Sequence, residues 1–246
     1  MLEINKIHLG DSYELIKQIP DKSIDCIYTD IPYLYNISEG GGNPEGKSAL
    51  SKRITKVMCN DLQGITDGID YKILYDFIRV MKKINCFIWC SRLQVLDILS
   101  FFNQAGCNFD MLVWCKDNPT PQTNNVWLPD LEYCLYFREK GVRLNDGYKL
   151  KSKWYASPIN KRDKDTYEHP SIKPLQFVKR HILHATQPND IIFDPFAGSG
   201  TTAVAAMETG RQFVAIEKEK RWYDIAVDRI NGITASGQYT MFGRVI

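Results

Sequence analysis

Asp30-Ile31-Pro32-Tyr33 carries the residue types that activate an amine. The lone pair of an exocyclic base amine is delocalised into the ring, so its nitrogen is a poor nucleophile. Two acceptors on its two N–H bonds favour a pyramidal nitrogen and stabilise the positive charge that develops as it attacks a methyl group. Asp30 offers a carboxylate and Ile31 a backbone carbonyl, which Pro32 holds extended by barring Ile31 from the helical region. Tyr33 offers a ring on which an extruded base can stack.

A second stretch, Phe193-Asp194-Pro195-Phe196-Ala197-Gly198-Ser199-Gly200-Thr201-Thr202, reads as a strand end, a glycine-rich turn and a helix start. Glycine lets the backbone approach a ligand, and the free N–H groups of a helix start face it. Gly198, Gly200 and Ala203 fit the G-x-G-x-x-A form of a dinucleotide fingerprint. Glu217 ends the next apolar run, where a carboxylate can hold two ribose hydroxyls. An adenosine-containing cofactor is expected, and these residues alone admit NAD, FAD or S-adenosylmethionine. A dinucleotide fold opens on this turn and needs much chain after it. Here little follows Glu217, which turns the expectation toward S-adenosylmethionine.

The elements that bring these stretches together are legible in the periodicity. Strands are expected at 6–9, 23–29, 86–90, 109–115, 131–137, 191–193 and 212–216, and helices at 12–19, 71–83, 93–104, 175–186, 202–209 and 222–230. Alternating strands and helices predict an α/β, doubly wound, mostly parallel seven-stranded sheet, with 109–115 and 131–137 as an antiparallel hairpin at its edge. Ligands lie outside the carboxyl ends of such strands, where Asp11, Asp30, Asp194 and Glu217 all fall. Asp11 also reads as a helix N-cap. The glycine-rich stretch 34–68 is long for a loop in a compact domain, which points to a functional or a disordered segment.

From 138 to 169 the pattern dissolves. Lys149, Lys151, Lys153, Lys161, Arg162 and Lys164 gather there with Tyr148, Trp154 and Tyr155 between them. Basic residues interleaved with aromatics suit a nucleic-acid backbone with unstacked bases, and a solvated lysine loop is the alternative.

At 246 residues the chain is expected to form one large domain, and a formal charge of +2 neither requires nor excludes nucleic acid. Seven cysteines with no C-x-x-C pair suit a reducing, cytoplasmic setting, with Cys86 and Cys90 as core thiols. His181 and His184 share a predicted helix without a third ligand, so no metal is expected. No apolar run is long enough to span a bilayer, and no membrane partner is expected.

Taken with their order, these residues resemble the β-class DNA amino-methyltransferases of the adenine-N6/cytosine-N4 type. Gly10-Asp11 resembles that family's adenine-contacting element. Trp114-Cys115-Lys116-Asp117-Asn118-Pro119-Thr120-Pro121 resembles its W-x-K-x-N-P-x-P segment on the target-base side. His169-Pro170-Ser171-Ile172-Lys173-Pro174 resembles its H-P-x-x-K-P, whose lysine lies near the methionine moiety. Asp194 to Gly200, with Phe196, Ser199 and Thr201, matches the methionine-binding loop, and Glu217 the ribose ligand. The family commonly has D-P-P-Y where this chain has Ile31; only a backbone carbonyl is required there, so activity is expected to survive.

The resemblance implies a Rossmann-like methyltransferase fold in circularly permuted motif order. It divides the chain into a catalytic half (1–137), a small inserted target-recognition segment (138–168), a cofactor half (169–231) and a flexible tail (232–246). It implies S-adenosylmethionine as cofactor, DNA as partner with Trp114 and Lys116 on its path, and adenine N6 over cytosine N4 because residue 30 is Asp. A homodimer stays open. So does a non-catalytic DNA-binding module, which needs no cofactor. In the tail, Gln238-Tyr239-Thr240-Met241-Phe242 resembles the Q-x-x-L-F peptide by which bacterial proteins dock on the replicative sliding clamp.

Overall fold

The computed structural model describes residues 2–34, 68–119, 121, 127–147, 150–159, 167 and 172–232, and the backbone of two short strands beyond them. Most of the 34–68 stretch, Tyr148, Lys149, Lys161, Arg162, Lys164, Gln238, Tyr239 and Phe242 lie outside the described residues.

The order is β1 (Lys6–Leu9), α1 (Ser12–Leu15) with a 3-10 turn (Ile16–Gln18), β2 (Cys26–Asp30), α2 (Ile73–Val80), β3 (Asn85–Cys90), α3 (Val95–Gln104), β4 (Asn108–Lys116) and β5 (Leu131–Arg138). Then follow β6 (Trp154–Ser157), α4 (Leu175–Ala185), β7 (Ile191–Asp194), α5 (Thr201–Glu208), β8 (Gln212–Glu217) and α6 (Lys220–Ile230). Eight strands form one sheet in the order β1-β8-β7-β2-β3-β5-β4-β6. Neighbours from β1 through β3 pair parallel, β5 pairs antiparallel with β3 and β4, and β6 is parallel to β4.

The late strands β7 and β8 insert between β1 and β2, so both ends of the chain build one rim. Cys26 pairs with Ile192 and Leu9 with Glu217, bringing the carboxyl ends of these strands together. Ligands to open α/β sheets lie at such ends.

Both faces of the sheet are covered, which is why β3 reads as a nearly continuous apolar run. Ile27, Cys86, Ile88 and Phe193 pack under Phe77 and Phe102 on one face. Cys26, Tyr28, Phe87, Trp89 and Phe213 pack against Phe177, Ile182 and Ala226 on the other. Each such side chain, fully buried, contributes roughly 1.5–3 kcal/mol. Cys86 and Cys90 are core thiols as expected, and burial pushes Cys90 up to about 12.

The sheet has eight strands rather than seven, and the hairpin is not its edge. Trp154–Ser157 pairs with Val113 to Lys116 outside β4. Its four residues are exposed or half-buried, so no apolar run marks the strand in the sequence. In the tail, Thr240–Met241 pairs antiparallel with Arg244–Val245, apart from the main sheet. No helix among the described residues is long and apolar enough to cross a membrane.

Candidate active site

Asp30 ends β2 opposite Trp89, and Ile31 N–H extends the ladder by donating to Trp89 O at 3.2 Å. Lys173, just before α4, is 4% exposed and donates to Asp30 Oδ2 at 2.5 Å. Its ammonium also lies 3.1 Å from Glu132 Oε2, and 5.1 and 5.3 Å from the ring centroids of Tyr33 and Trp89. Glu132 on β5 takes Lys116 on its other oxygen at 2.6 Å and accepts from the Tyr33 hydroxyl at 3.4 Å.

Burial pushes the Asp30 carboxyl above the usual carboxylate range, with the Lys173 ammonium working against that shift. Burial opposes charge on Glu132 too, but Lys173 and Lys116 outweigh it and hold Glu132 at about 2. Asp30 Oδ1 is buried and has no hydrogen-bond partner among the described residues. A buried carboxylate oxygen without a donor costs desolvation energy unless a ligand supplies one. One oxygen is held and one is open.

Pro32 is fixed from behind. Gln94, fully buried at the start of α3, donates through Nε2 to Pro32 O at 3.0 Å while its Oε1 accepts from Ser91 N–H. The sequence gives no sign of this, because the contact is between residues 62 apart.

On the cofactor side, Gly198 and Gly200 have φ of +51° and +77°, a region L side chains rarely adopt. A Cβ at Gly200 would also meet the Ala226 Cβ at 3.1 Å, so glycine lets α5 start directly against α6. Beneath that start, buried Arg229 donates to Ser199 O at 3.1 Å and to Thr201 Oγ1 at 2.8 Å. Glu217 is drawn into the turn: its Oε2 accepts from Gly198 N–H at 2.7 Å and its Oε1 from Glu219 N–H at 2.8 Å. Asp194 Oδ1 accepts from Phe196 N–H at 3.1 Å, and the Phe196 ring meets Tyr13 edge-on at 6.4 Å. Asp11 is the N-cap of α1, accepting from Tyr13 N–H at 2.9 Å, and pairs with Lys218 at 3.0 Å.

Burial raises Asp194 to about 7. Between its ordinary 3.8 and 7 the unfolded chain ionises this carboxyl while the folded one retains the proton, so the group lowers stability progressively across that window and fully above it. Asp194→Asn is therefore expected to be the more stable protein at pH 8, by on the order of 3–4 kcal/mol at most, and to lose this advantage as pH falls to 4. Denaturant unfolding of both proteins at a series of pH values checks this; a stability difference that does not change with pH rules it out.

Trp114 is buried where the sequence reading expects a DNA contact, and Lys173, Lys151 and Lys153 gain ion pairs that the sequence does not predict. Lys173 ion-pairs Asp30 and Glu132, at the ends of β2 and β5. Trp114 is 2% exposed, with Nε1 donating to Ser157 Oγ at 2.9 Å. The two-residue period of β4 turns it inward with Leu112, under the Lys116 ammonium 5.4 Å from its ring centroid, so the ring is not on the exposed surface. Lys151 and Lys153 are exposed but paired with Asp146 and Asp110.

A mostly parallel sheet with a glycine cradle at the end of β7 and a row of rim carboxylates defines a Rossmann-like α/β fold. The chain belongs to the N6/N4 DNA methylase family, whose description as a DNA methylase matches residues 24–228. It is 30% identical over 239 residues to the type II methyltransferase M2.LlaDCHI of Lactococcus lactis subsp. cremoris, covering 90% of this chain and 87% of that one. Against M2.DpnII of Streptococcus pneumoniae identity is 28% over 240 residues, with the same shares. The solved M1.HpyAVI–SAM complex shares the fold at a TM-score of 0.66 and 24% identity, over 92% of this chain and 98% of that one. The cytosine-N4-specific PvuII DNA methyltransferase shares it at 0.65 and 12% identity, over 92% and 86%.

The protein is thus an S-adenosylmethionine-dependent DNA amino-methyltransferase. Its donor set fits that cofactor. Asp194 and Glu217 set two carboxyl groups against the glycine turn, where a dinucleotide would bring its pyrophosphate, which suits a cofactor without phosphate groups better than a second anion.

Proposed function

We propose that this enzyme methylates adenine N6 at a specific DNA sequence, with the target base extruded from the duplex to reach Asp30. The observation that carries the reading is the divided carboxylate of Asp30: Oδ2 bound by Lys173, Oδ1 buried and open. Oδ1 takes one N–H of the target amine and the Ile31 carbonyl the other, while the Tyr33 ring stacks on the base. S-adenosylmethionine supplies an electrophilic methyl group when bound. Glu217 holds its ribose, and Asp194, Phe196, Gly198, Ser199, Gly200 and Thr201 surround its methionine end. The type II relatives support site specificity. Asp at position 30 favours adenine over cytosine. Incubation with duplex DNA and methyl-labelled cofactor, followed by nucleoside analysis, is expected to yield N6-methyladenine; N4-methylcytosine as the labelled product overturns the base assignment.

Residues 138–168 are assigned to target recognition on DNA in the cytoplasm, between a catalytic half (1–137) and a cofactor half (169–231). Changing Lys149, Lys161 and Lys164 to alanine is expected to weaken DNA binding and to flatten its log–log salt dependence by about 0.9 for each phosphate no longer neutralised. An unchanged slope leaves these lysines as a solvated loop. The tail (232–246) is assigned to sliding-clamp docking through Gln238 to Phe242; a tail peptide that fails to bind purified bacterial clamp at high micromolar concentration removes that assignment.

A further inference from the structure

Glu132 lies in none of the motifs that mark this chain, yet it touches residues from three of them. Its Oε1 is 2.6 Å from Lys116, its Oε2 is 3.1 Å from Lys173, and the same oxygen accepts from Tyr33 at 3.4 Å. It is held in turn by the β5 ladder, where its backbone stands opposite Trp114 of β4. We propose that Glu132 is a positioning residue for methyl transfer, holding Lys173 to one side of Asp30 so that Oδ2 is occupied and Oδ1 stays open for the target amine. This rests on the reading of Asp30 given above.

The geometry supplies the reason. A lysine ammonium is a point charge on a flexible stem, with three donors and no preferred fork. Beside a carboxylate alone, nothing directs it to one oxygen rather than across both. Here a second carboxylate pulls from the far side, and the rings of Tyr33 and Trp89, 5.1 and 5.3 Å away, close the remaining directions. Lys116 fixes Glu132 by its other oxygen, so the pull has a set direction. The four side chains, two acids and two bases, are neutral together, which lets them stay charged at 4–29% exposure.

A positioning residue that acts through Asp30 has a signature that a general structural residue lacks. Its removal matters only while Asp30 is there to be positioned. E132Q is expected to lower single-turnover methyl transfer on duplex DNA by about 100-fold, the scale of a small misplacement at a reacting centre. Its affinity for S-adenosylmethionine is expected to stay near wild type, while its thermal midpoint falls, because Lys116 and Lys173 are left with one buried counter-charge fewer. In the D30N background the same substitution is expected to cost less than about twofold. An equal loss in both backgrounds, or a rate for E132Q within twofold of wild type, overturns the proposal. If D30N alone retains near-normal activity, the Asp30 reading fails as well; if D30N is inactive and E132Q normal, only the role of Glu132 fails. Should E132Q not fold, E132D, which keeps the charge and shortens the reach to Lys173, is read in the same cycle.

Discussion

Asp30→Asn is expected to lower the rate of methyl transfer by at least about 10²–10³-fold, the range seen when one preorganised polar group is removed from a charge-developing centre. The substitution is nearly isosteric, but it reverses the polarity of the open position. Lys173 offers only donors, so it takes the amide oxygen of the new side chain. The amide NH2 is left facing the target amine, donor against donor. The amine then loses the acceptor that localises its lone pair, and the cation developing on nitrogen loses its counter-charge. Cofactor affinity is expected to change little, because Asp30 makes no hydrogen bond to the glycine cradle. Rapid-quench transfer with labelled methyl donor, alongside calorimetry for the cofactor, separates the two. A variant that turns over at a near-normal rate removes Asp30 from the chemistry, while one that also loses cofactor affinity places the defect in the fold.

The two poles of the site are legible in the sequence because each is a local arrangement. Asp30-Ile31-Pro32-Tyr33 and the turn from Asp194 to Thr201 lie at strand ends that short apolar runs announce. Their meeting at one rim follows from the rule that ligands bind beyond the carboxyl ends of parallel strands. What joins them is not legible. Glu132 and Gln94 act across the fold, 99 and 62 residues from their partners Tyr33 and Pro32, and neither has a local pattern. Lys173 reads as a cofactor residue from its motif, and its seat on Asp30 exists only once α4 packs beside β2. Trp114 shows the converse error. The resemblance to the W-x-K-x-N-P-x-P segment puts it on the DNA path, whereas strand parity sends that ring into the core. β6 escapes because none of its four residues is buried, so no apolar run marks it as Ile191 to Phe193 marks β7.

Glu217 is where a single change is expected to cost the most cofactor affinity. Each of its oxygens accepts one backbone N–H, from Gly198 at 2.7 Å and from Glu219 at 2.8 Å. Each oxygen has a further lone pair, and those are the acceptors available to a ribose diol. Glu217→Ala removes the carboxylate proposed to hold the ribose and releases the Gly198 N–H that closes the cradle. Hydrogen bonds to a charged group contribute about 1.5–3 kcal/mol each. Removing one ribose hydrogen bond is then expected to weaken S-adenosylmethionine binding by about 10–200-fold, at 1.4 kcal/mol for each factor of ten. The freed turn adds to that effect. The apo protein is not expected to suffer in proportion, because burial already opposes charge on this carboxyl and its removal relieves that cost. Calorimetric titration with S-adenosylmethionine checks the affinity, and a thermal melt of the same sample checks the fold. Full-strength binding by a folded Glu217→Ala protein would mean that the ribose is held elsewhere, and the next carboxylate along the rim, Asp11, would be the one to test.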